Sequence, residues 1–179
     1  MSEIKRFIDF SKPFIDATRN VFETMVFTKI QTGKPNIKEG NTSQGDVSAV
    51  LGLSGEYSKD GEICPYRAML VISFPFDTYI KAASAMLMED YTEYNDEISD
   101  VAGEICNMVM GNAKRDLTTL GYSTNMAIPS IVMGKNHSIR YPGDTTVILI
   151  PVICAHGNFY IELCYKDNVR NDIEVKIQK

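Results

Sequence analysis

The sequence predicts an α+β domain, with a largely antiparallel sheet and helices packed on it. Its elements fall in segregated runs: a helix, then strands, then two helices, then strands again. Two pairs of apolar, β-prone segments are separated by turn residues and read as hairpins. One long segment repeats its apolar residues at helical spacing, so it has a single face to bury.

The first helix is expected over Ser11 to Phe27. Pro13 suits its first turn, and Phe14, Ile15, Ala17, Val21, Phe22 and Met25 recur at helical spacing. Gln31 to Gln44 is rich in Gly, Lys, Asn and Pro, and reads as a connection around at most a short strand. Val47 to Leu53 and Ala68 to Phe74 pair as a hairpin with a long loop that contains Asp60-Gly61. Pro75 ends the second of these strands, and Asp77 is the expected N-cap of a helix reaching Met88. A longer helix is expected from Glu93 to Leu120, with Gly121 just beyond it. Tyr122 to Met133 reads as extended and broken at Pro129. Val147 to Cys154 and Phe159 to Tyr165 form a second hairpin that turns at His156-Gly157-Asn158, with Pro151 marking an edge or a bulge. After Asp167 the chain is polar. Ile173, Val175 and Ile177 alternate there, which suits an edge strand and a frayed end equally.

The 179 residues, 44% of them hydrophobic, suffice for a single domain over residues 1–167 followed by a polar tail, 168–179. No run is apolar for long enough to span a bilayer, and no apolar segment of signal-peptide type follows Met1-Ser2-Glu3-Ile4-Lys5. The expected address is the cytoplasm. Four scattered cysteines, Cys64, Cys106, Cys154 and Cys164, read as buried free thiols of a reducing compartment. His137 and His156 lie at strand ends or turns without ligand-spaced partners, so no metal site is expected. A net charge of −5 without a basic stripe argues against nucleic acid as a partner. There is no GxxxxGK[ST], GxSxG or HExxH.

The long helix carries the informative pattern. Ile98, Val101, Ala102, Ile105, Met108 and Val109 form its apolar stripe, and Asp100, Gly103, Glu104, Asn107, Gly111 and Lys114 lie roughly opposite. Asp100, Glu104 and Asn107 are four and three residues apart, so two carboxylates and an amide stack on one exposed ridge. Glycine in a helix interior costs about 1 kcal/mol relative to alanine. Gly103 and Gly111 beside the ridge therefore suggest close approach of another backbone, from a partner or a neighbouring helix. Periodicity by itself leaves a functional ridge and an ordinary solvated face both open.

Asp100-Val-Ala-Gly-Glu104-Ile-Cys-Asn107 resembles the [DS]xxxExxN signature of the CheC, CheX and FliY chemotaxis phosphatases, and Gly111-Asn112-Ala-Lys114 resembles the end of that helix in CheX proteins. Pro13 to Met25 is similar to the opening CheX helix. Ile72-Ser73-Phe74-Pro75 leading into Ala82 to Met86 is similar to its strand-to-helix step, and Pro129 to Gly134 to a later strand. The resemblance covers roughly residues 10 to 165. CheC-type proteins generally carry two signatures. The first helix here offers Asp16 and Asn20 but no ExxN, which implies one site per chain. Asn112 falls near the apolar stripe and reads as a structural, hydrogen-bonded residue.

The resemblance implies a CheC/CheX-like fold and an enzyme that removes the aspartyl phosphate from a CheY-type receiver domain. Asn107 would orient the attacking water and Glu104 would pair with the receiver's active-site lysine. Asp100, Gly103, Gly111 and Lys114 would line the docking face. It implies no cofactor or metal of the chain's own, with Mg²⁺ supplied by the receiver. It also implies a homodimer, and a CheD-type protein is a further partner it admits. Val147 to Val152 carries no charge and Ile161 to Cys164 only Glu162, so the dimer is expected to join at that edge, with no role for nucleic acid or membrane. The competing reading is a non-catalytic receiver-binding module, or a scaffold like the middle region of FliM-type switch proteins.

Overall fold

The computed structural model describes residues 3–168. Its central feature is one long hairpin. Strands β3 (Val47–Lys59) and β4 (Glu62–Phe74) reverse at Asp60 and Gly61, with φ values of 53° and 85°. Two successive left-handed residues make the tight turn whose twist matches that of the flanking strands. The long loop expected there is absent, because Ser54 pairs with Arg67 and the ladder continues out to Lys59 and Glu62. The polar residues of that stretch belong to paired strands covered on one side only.

Strand β8 (Gly157–Asp167) pairs with β4, and β7 (Val147–Cys154) pairs with β8. Strands β1 (Ile30–Thr32) and β2 (Asn36–Ile37) both pair with β7 and close one edge. Strands β5 (Tyr122–Met126) and β6 (Ser130–Met133) both pair with β3 and close the other. Every pairing is antiparallel, and each edge consists of short strands, which present little unpaired backbone. The segment expected to hold at most one short strand thus supplies two.

The expected β7–β8 edge is corrected. β8 lies between β7 and β4, and β7 is covered by β1 and β2, so neither is open to a second copy. Their turn falls at Ala155-His156, slightly earlier than expected. Pro151 sits where the cover is interrupted. Its carbonyl accepts from the Gly33 N–H at 2.7 Å, so its ring nitrogen faces the same side, between β1 and β2, where no ladder bond is needed.

Helices α1 (Glu3–Met25), α2 (Phe76–Leu87) and α3 (Val101–Thr119) pack on one face of the sheet. The core between them is aromatic. Phe22 stacks on Phe159 at 4.4 Å, and Phe10 meets Tyr165 at 4.7 Å and Tyr122 at 5.2 Å. Helix α1 begins eight residues before its expected start, so Pro13 is inside it and not in its first turn. Phe10, one turn before Phe14, extends the buried stripe. Arg6 pairs with Asp167 at 2.8 Å with both side chains buried. These contacts keep the turn ahead of Pro13 helical despite the missing N–H. Asp167 therefore belongs to β8, while Ile173, Val175 and Ile177 lie outside the described residues. Helix α2 is capped from a distance. The Asp46 carboxylate accepts from the Phe76 N–H at 2.9 Å, and Asp77, the expected N-cap, stands in the first turn.

The opposite face of the sheet is closed by two straps, residues 37–43 and 134–146. Lys38 donates to Glu162 Oε1 at 2.7 Å and to the Thr42 carbonyl at 2.8 Å, and Tyr141 donates to the other Glu162 oxygen. Burial raises the Glu162 carboxyl above its ordinary range, and the Lys38 ammonium opposes this. Beside the pair, the hydroxyls of Ser43, Ser48 and Ser73 bond one another, and His137 Nε2 lies 2.7 Å from Ser48 Oγ. The imidazole Nδ1 donates to the Gly134 carbonyl at 2.7 Å, which ties the second strap to the serine cluster.

Of the four free cysteines, Cys106 and Cys164 are buried as expected, whereas Cys64 and Cys154 are only half-buried. Among the described residues, no helix is long and apolar enough to cross a membrane, and no cluster of His, Cys, Asp or Glu could hold a metal ion.

Because both partners of the Lys38–Glu162 pair are shielded from water, Lys38→Ala should destabilise the protein by about 3–5 kcal/mol, measured by urea unfolding. The double change Lys38→Met with Glu162→Leu should recover most of that loss, since it leaves no unpaired buried charge.

Candidate functional site

Helix α3 begins eight residues later than its expected start at Glu93. Asn95 Oδ1 accepts from the N–H groups of Glu97 and Ile98, which holds a turn ahead of the helix. One phenol then fixes the start. The hydroxyl of Tyr79, on α2, donates to the Ile98 carbonyl and accepts from the Ala102 N–H at 3.2 Å. Burial pushes this phenol up to about 12, so the proton needed for the first bond is retained. Tyr79 thus satisfies a first-turn donor that an N-cap side chain would ordinarily take. Asp100 occupies the N-cap position without a side-chain capping bond.

The buried side of α3 comprises Val101, Ala102, Gly103, Ile105, Cys106, Val109, Met110, Ala113 and Leu117. Met108, expected within the stripe, is half-buried. The exposed ridge is Asp100, Glu104, Asn107, Gly111 and Lys114, with Asn107 half-buried and the rest open. Its spacing is the one the sequence predicted. Gly103 does not belong to it. A Cβ at Gly103 would stand 3.4 Å from Ile131 Cδ1 and 4.0 Å from Pro129 Cβ, so this glycine is a seat for the chain's own β6 and not a surface for a partner. Gly111 has open space around it. Among the described residues, neither the Glu104 carboxylate nor the Asn107 amide has a hydrogen-bonding or ionic partner within the chain, so both present free polar atoms outward.

Two polar side chains beside the ridge are engaged. Asn112 is hydrogen-bonded, as expected, but it is exposed and not in the stripe; it donates to Asn20 Oδ1 at 3.1 Å and ties α3 to α1. Asp16 pairs with Arg19 at 2.9 Å on the surface of α1. Sequence reasoning missed the wall that Pro129 and the β6 residue Ile131 build against Gly103, beside the ridge. Proline in an extended, broken segment was a sign of a loop or edge, and nothing local connected it to Gly103.

Chemically, the ridge offers a carboxylate that can accept, and an amide that can donate and accept. It offers no nucleophile with an adjacent base and no metal-ligand set, so it is suited to orienting groups that a bound partner brings.

Comparison with known proteins fits this site. Residues 47–153 match the family model described as chemotaxis phosphatase CheX. The CheY-P phosphatase CheX of Thermotoga maritima is 25% identical over 139 residues, covering 76% of this chain and 82% of that protein. The crystal structure of chemotaxis protein CheX from Vibrio vulnificus aligns with a TM-score of 0.75 at 34% identity, covering 88% of this chain and 99% of that one. The CheX–CheY–BeF₃–Mg²⁺ complex from Borrelia burgdorferi aligns with a TM-score of 0.68 at 25% identity, covering 89% and 98%. With a matching fold, a family model spanning most of the sheet and helices α2 and α3, and relatives covered nearly end to end, this chain belongs to the CheX family of chemotaxis phosphatases.

Proposed function

We propose that this protein hydrolyses the aspartyl phosphate of a CheY-type receiver domain, with Asn107 orienting the attacking water. The observation that carries the reading is the pair Glu104 and Asn107, presented side by side on an exposed ridge with no partner inside the chain. The Borrelia relative in complex with CheY supports the choice of partner.

Hydrolysis of an aspartyl phosphate asks chiefly for an in-line water and for charge stabilisation around the phosphoryl group. The receiver brings that phosphoryl group together with its own Mg²⁺ and lysine. The Asn107 amide can hold the water through its carbonyl and donate through its NH₂, without adding negative charge beside the phosphate. Glu104, one turn earlier on the same ridge, is placed to pair with the receiver's lysine. Asp100 and Lys114 extend the docking face at either end. A scaffold that binds without hydrolysis would need neither an amide nor its companion carboxylate at this spacing.

Phosphate release from a phosphorylated CheY-type receiver, with and without this protein, tests the proposal. Asn107→Ala should lower kcat by about a hundredfold or more, because the lost interaction forms mainly in the transition state. Its affinity for a receiver held in the BeF₃–Mg²⁺ state should remain near wild type. Wild-type release by Asn107→Ala would refute the role given to the amide. Glu104→Ala should instead weaken that affinity, by about 2–5 kcal/mol for a charge pair that becomes buried on docking. Thermal melts of both variants should match wild type, since neither side chain belongs to the core.

The proposal extends to assembly. A homodimer, if it uses sheet edges, would use β1/β2 or β5/β6, because β7 and β8 are interior. Both edges carry exposed apolar side chains, Ile37 on β2 and Met126 and Met133 on β5 and β6. Light scattering at micromolar concentration should return twice the 20.0 kDa chain mass, and a monomer would refute it.

A further inference from the structure

Glu104 projects from the first turn of α3, and that turn is held mostly from outside. The Glu104 N–H opens the helical ladder on the Asp100 carbonyl at 3.1 Å, and the Val101 N–H falls back on the Ile98 carbonyl at 3.2 Å. The Ala102 N–H, between them, goes to the Tyr79 hydroxyl at 3.2 Å. Ala102 and Tyr79 are both fully buried, so water can replace that acceptor only if the turn moves.

Tyr79 is in turn held from the sheet. Its ring lies 5.7 Å from Phe74 and 5.8 Å from Tyr94. Its helix, α2, follows Pro75, which has no side-chain cap to offer. Asp46 supplies the missing acceptor for the Phe76 N–H at 2.9 Å, one turn before Tyr79. The Asp46 backbone is itself tied on both sides. Its N–H bonds the Phe74 carbonyl at 2.8 Å, and its carbonyl accepts from the Gly134 N–H at 2.8 Å. A line of hydrogen bonds therefore runs from Asp46, just ahead of β3, through α2 to residues 101–104 of α3.

We propose that Tyr79 and Asp46 are positioning residues for Glu104. They keep residues 101–104 helical and so hold the carboxylate where it meets the receiver's lysine. This rests on the phosphatase reading of the ridge and extends it to two side chains outside the ridge. Without the phenol hydroxyl, the Ala102 N–H gains a partner only when the first turn loosens toward water. Docking must then re-form the turn, and the measured affinity falls with the fraction of molecules in which it is formed. Asp100 precedes the helix and stays in the turn that Asn95 Oδ1 holds. Asn107 lies beyond the first turn, where N–H groups bond within the helix, so hydrolysis in the docked complex continues.

The test uses the full chain and a CheY-type receiver, read as phosphate release and as binding to the BeF₃–Mg²⁺ form. Tyr79→Phe should raise KM and the dissociation constant about tenfold, with kcat at saturating receiver within about twofold of wild type. Asp46→Ala should act in the same direction. Asp46→Asn, which keeps an acceptor oxygen for the Phe76 N–H, should restore wild-type affinity. In a Glu104→Ala background neither Tyr79→Phe nor Asp46→Ala should weaken binding further, because the group they place is gone. Ile150→Val, a core change on β7, should lower the melting temperature and leave affinity unchanged. A Tyr79→Phe protein that melts lower but binds as wild type would overturn the inference and leave the phosphatase reading intact. So would a tenfold loss that persists in the Glu104→Ala background, or an equal loss in Ile150→Val, since neither would pass through Glu104. If Tyr79→Phe does not fold, the Asp46→Ala and Asp46→Asn pair decides, and equal affinities of the two would overturn the inference. Absence of both release and binding in the wild-type chain would overturn the phosphatase reading and this inference with it.

Discussion

The Tyr79 hydroxyl is the contact on which the geometry of the ridge depends. A helix can slide along its axis while its apolar stripe stays roughly buried, so packing alone does not determine where α3 begins. The phenol gives its proton to Ile98 and takes one from Ala102, and so satisfies a carbonyl of the preceding turn and a donor of the first helical turn together. Losing it would leave the Ala102 N–H unpaired in a buried place, at a cost of about 1–3 kcal/mol, while the Ile98 carbonyl would keep the Val101 N–H at 3.2 Å. With the start held at Val101, Asp100 is the N-cap residue but its carboxylate is not spent on capping. The ridge therefore keeps its full set of outward polar atoms.

The sheet makes that ridge a rigid surface. Its helix-facing side is filled by aromatic rings in mutual contact. Its other side is closed by straps pinned through Lys38–Glu162 and through the Ser43, Ser48, Ser73 and His137 hydrogen bonds. A buried ion pair contributes less to net stability than its short distance suggests, because desolvation offsets the attraction. What it does here is specify. The straps as placed satisfy all of these groups at once, and β6, which flanks the ridge, leads directly into one of them at Gly134. The wall of Pro129 and Ile131 is thus fixed from both of its sides.

A site of this kind differs from an enclosed active site. Two side chains without internal partners, on the outside of a helix, can do no chemistry on a free small molecule. They become useful when a partner closes over them, excludes water, and supplies the reacting group. On the proposed reading most of the binding energy then has to come from the surface around the pair.

The sequence by itself determined the class of fold, the second hairpin, and the three-residue ridge of α3. Local periodicity dictates these: apolar residues at helical or alternating spacing have only one way to be buried, and Glu104 and Asn107 share a face of any helix that contains both, with Asp100 in line one turn earlier. It did not determine the ends of elements. The long reach of β3 and β4, the early start of α1 through Pro13, and the late start of α3 were settled by distant partners: the β3–β4 ladder, Arg6 with Asp167, and Tyr79 with Ala102. The role of Gly103 was also out of reach. Its spacing placed it near the ridge, and only the approach of Ile131 from β6 made it part of the interior. Local spacing states which residues lie together on one element; which elements meet, and which glycine they need, depends on contacts between residues far apart in the chain.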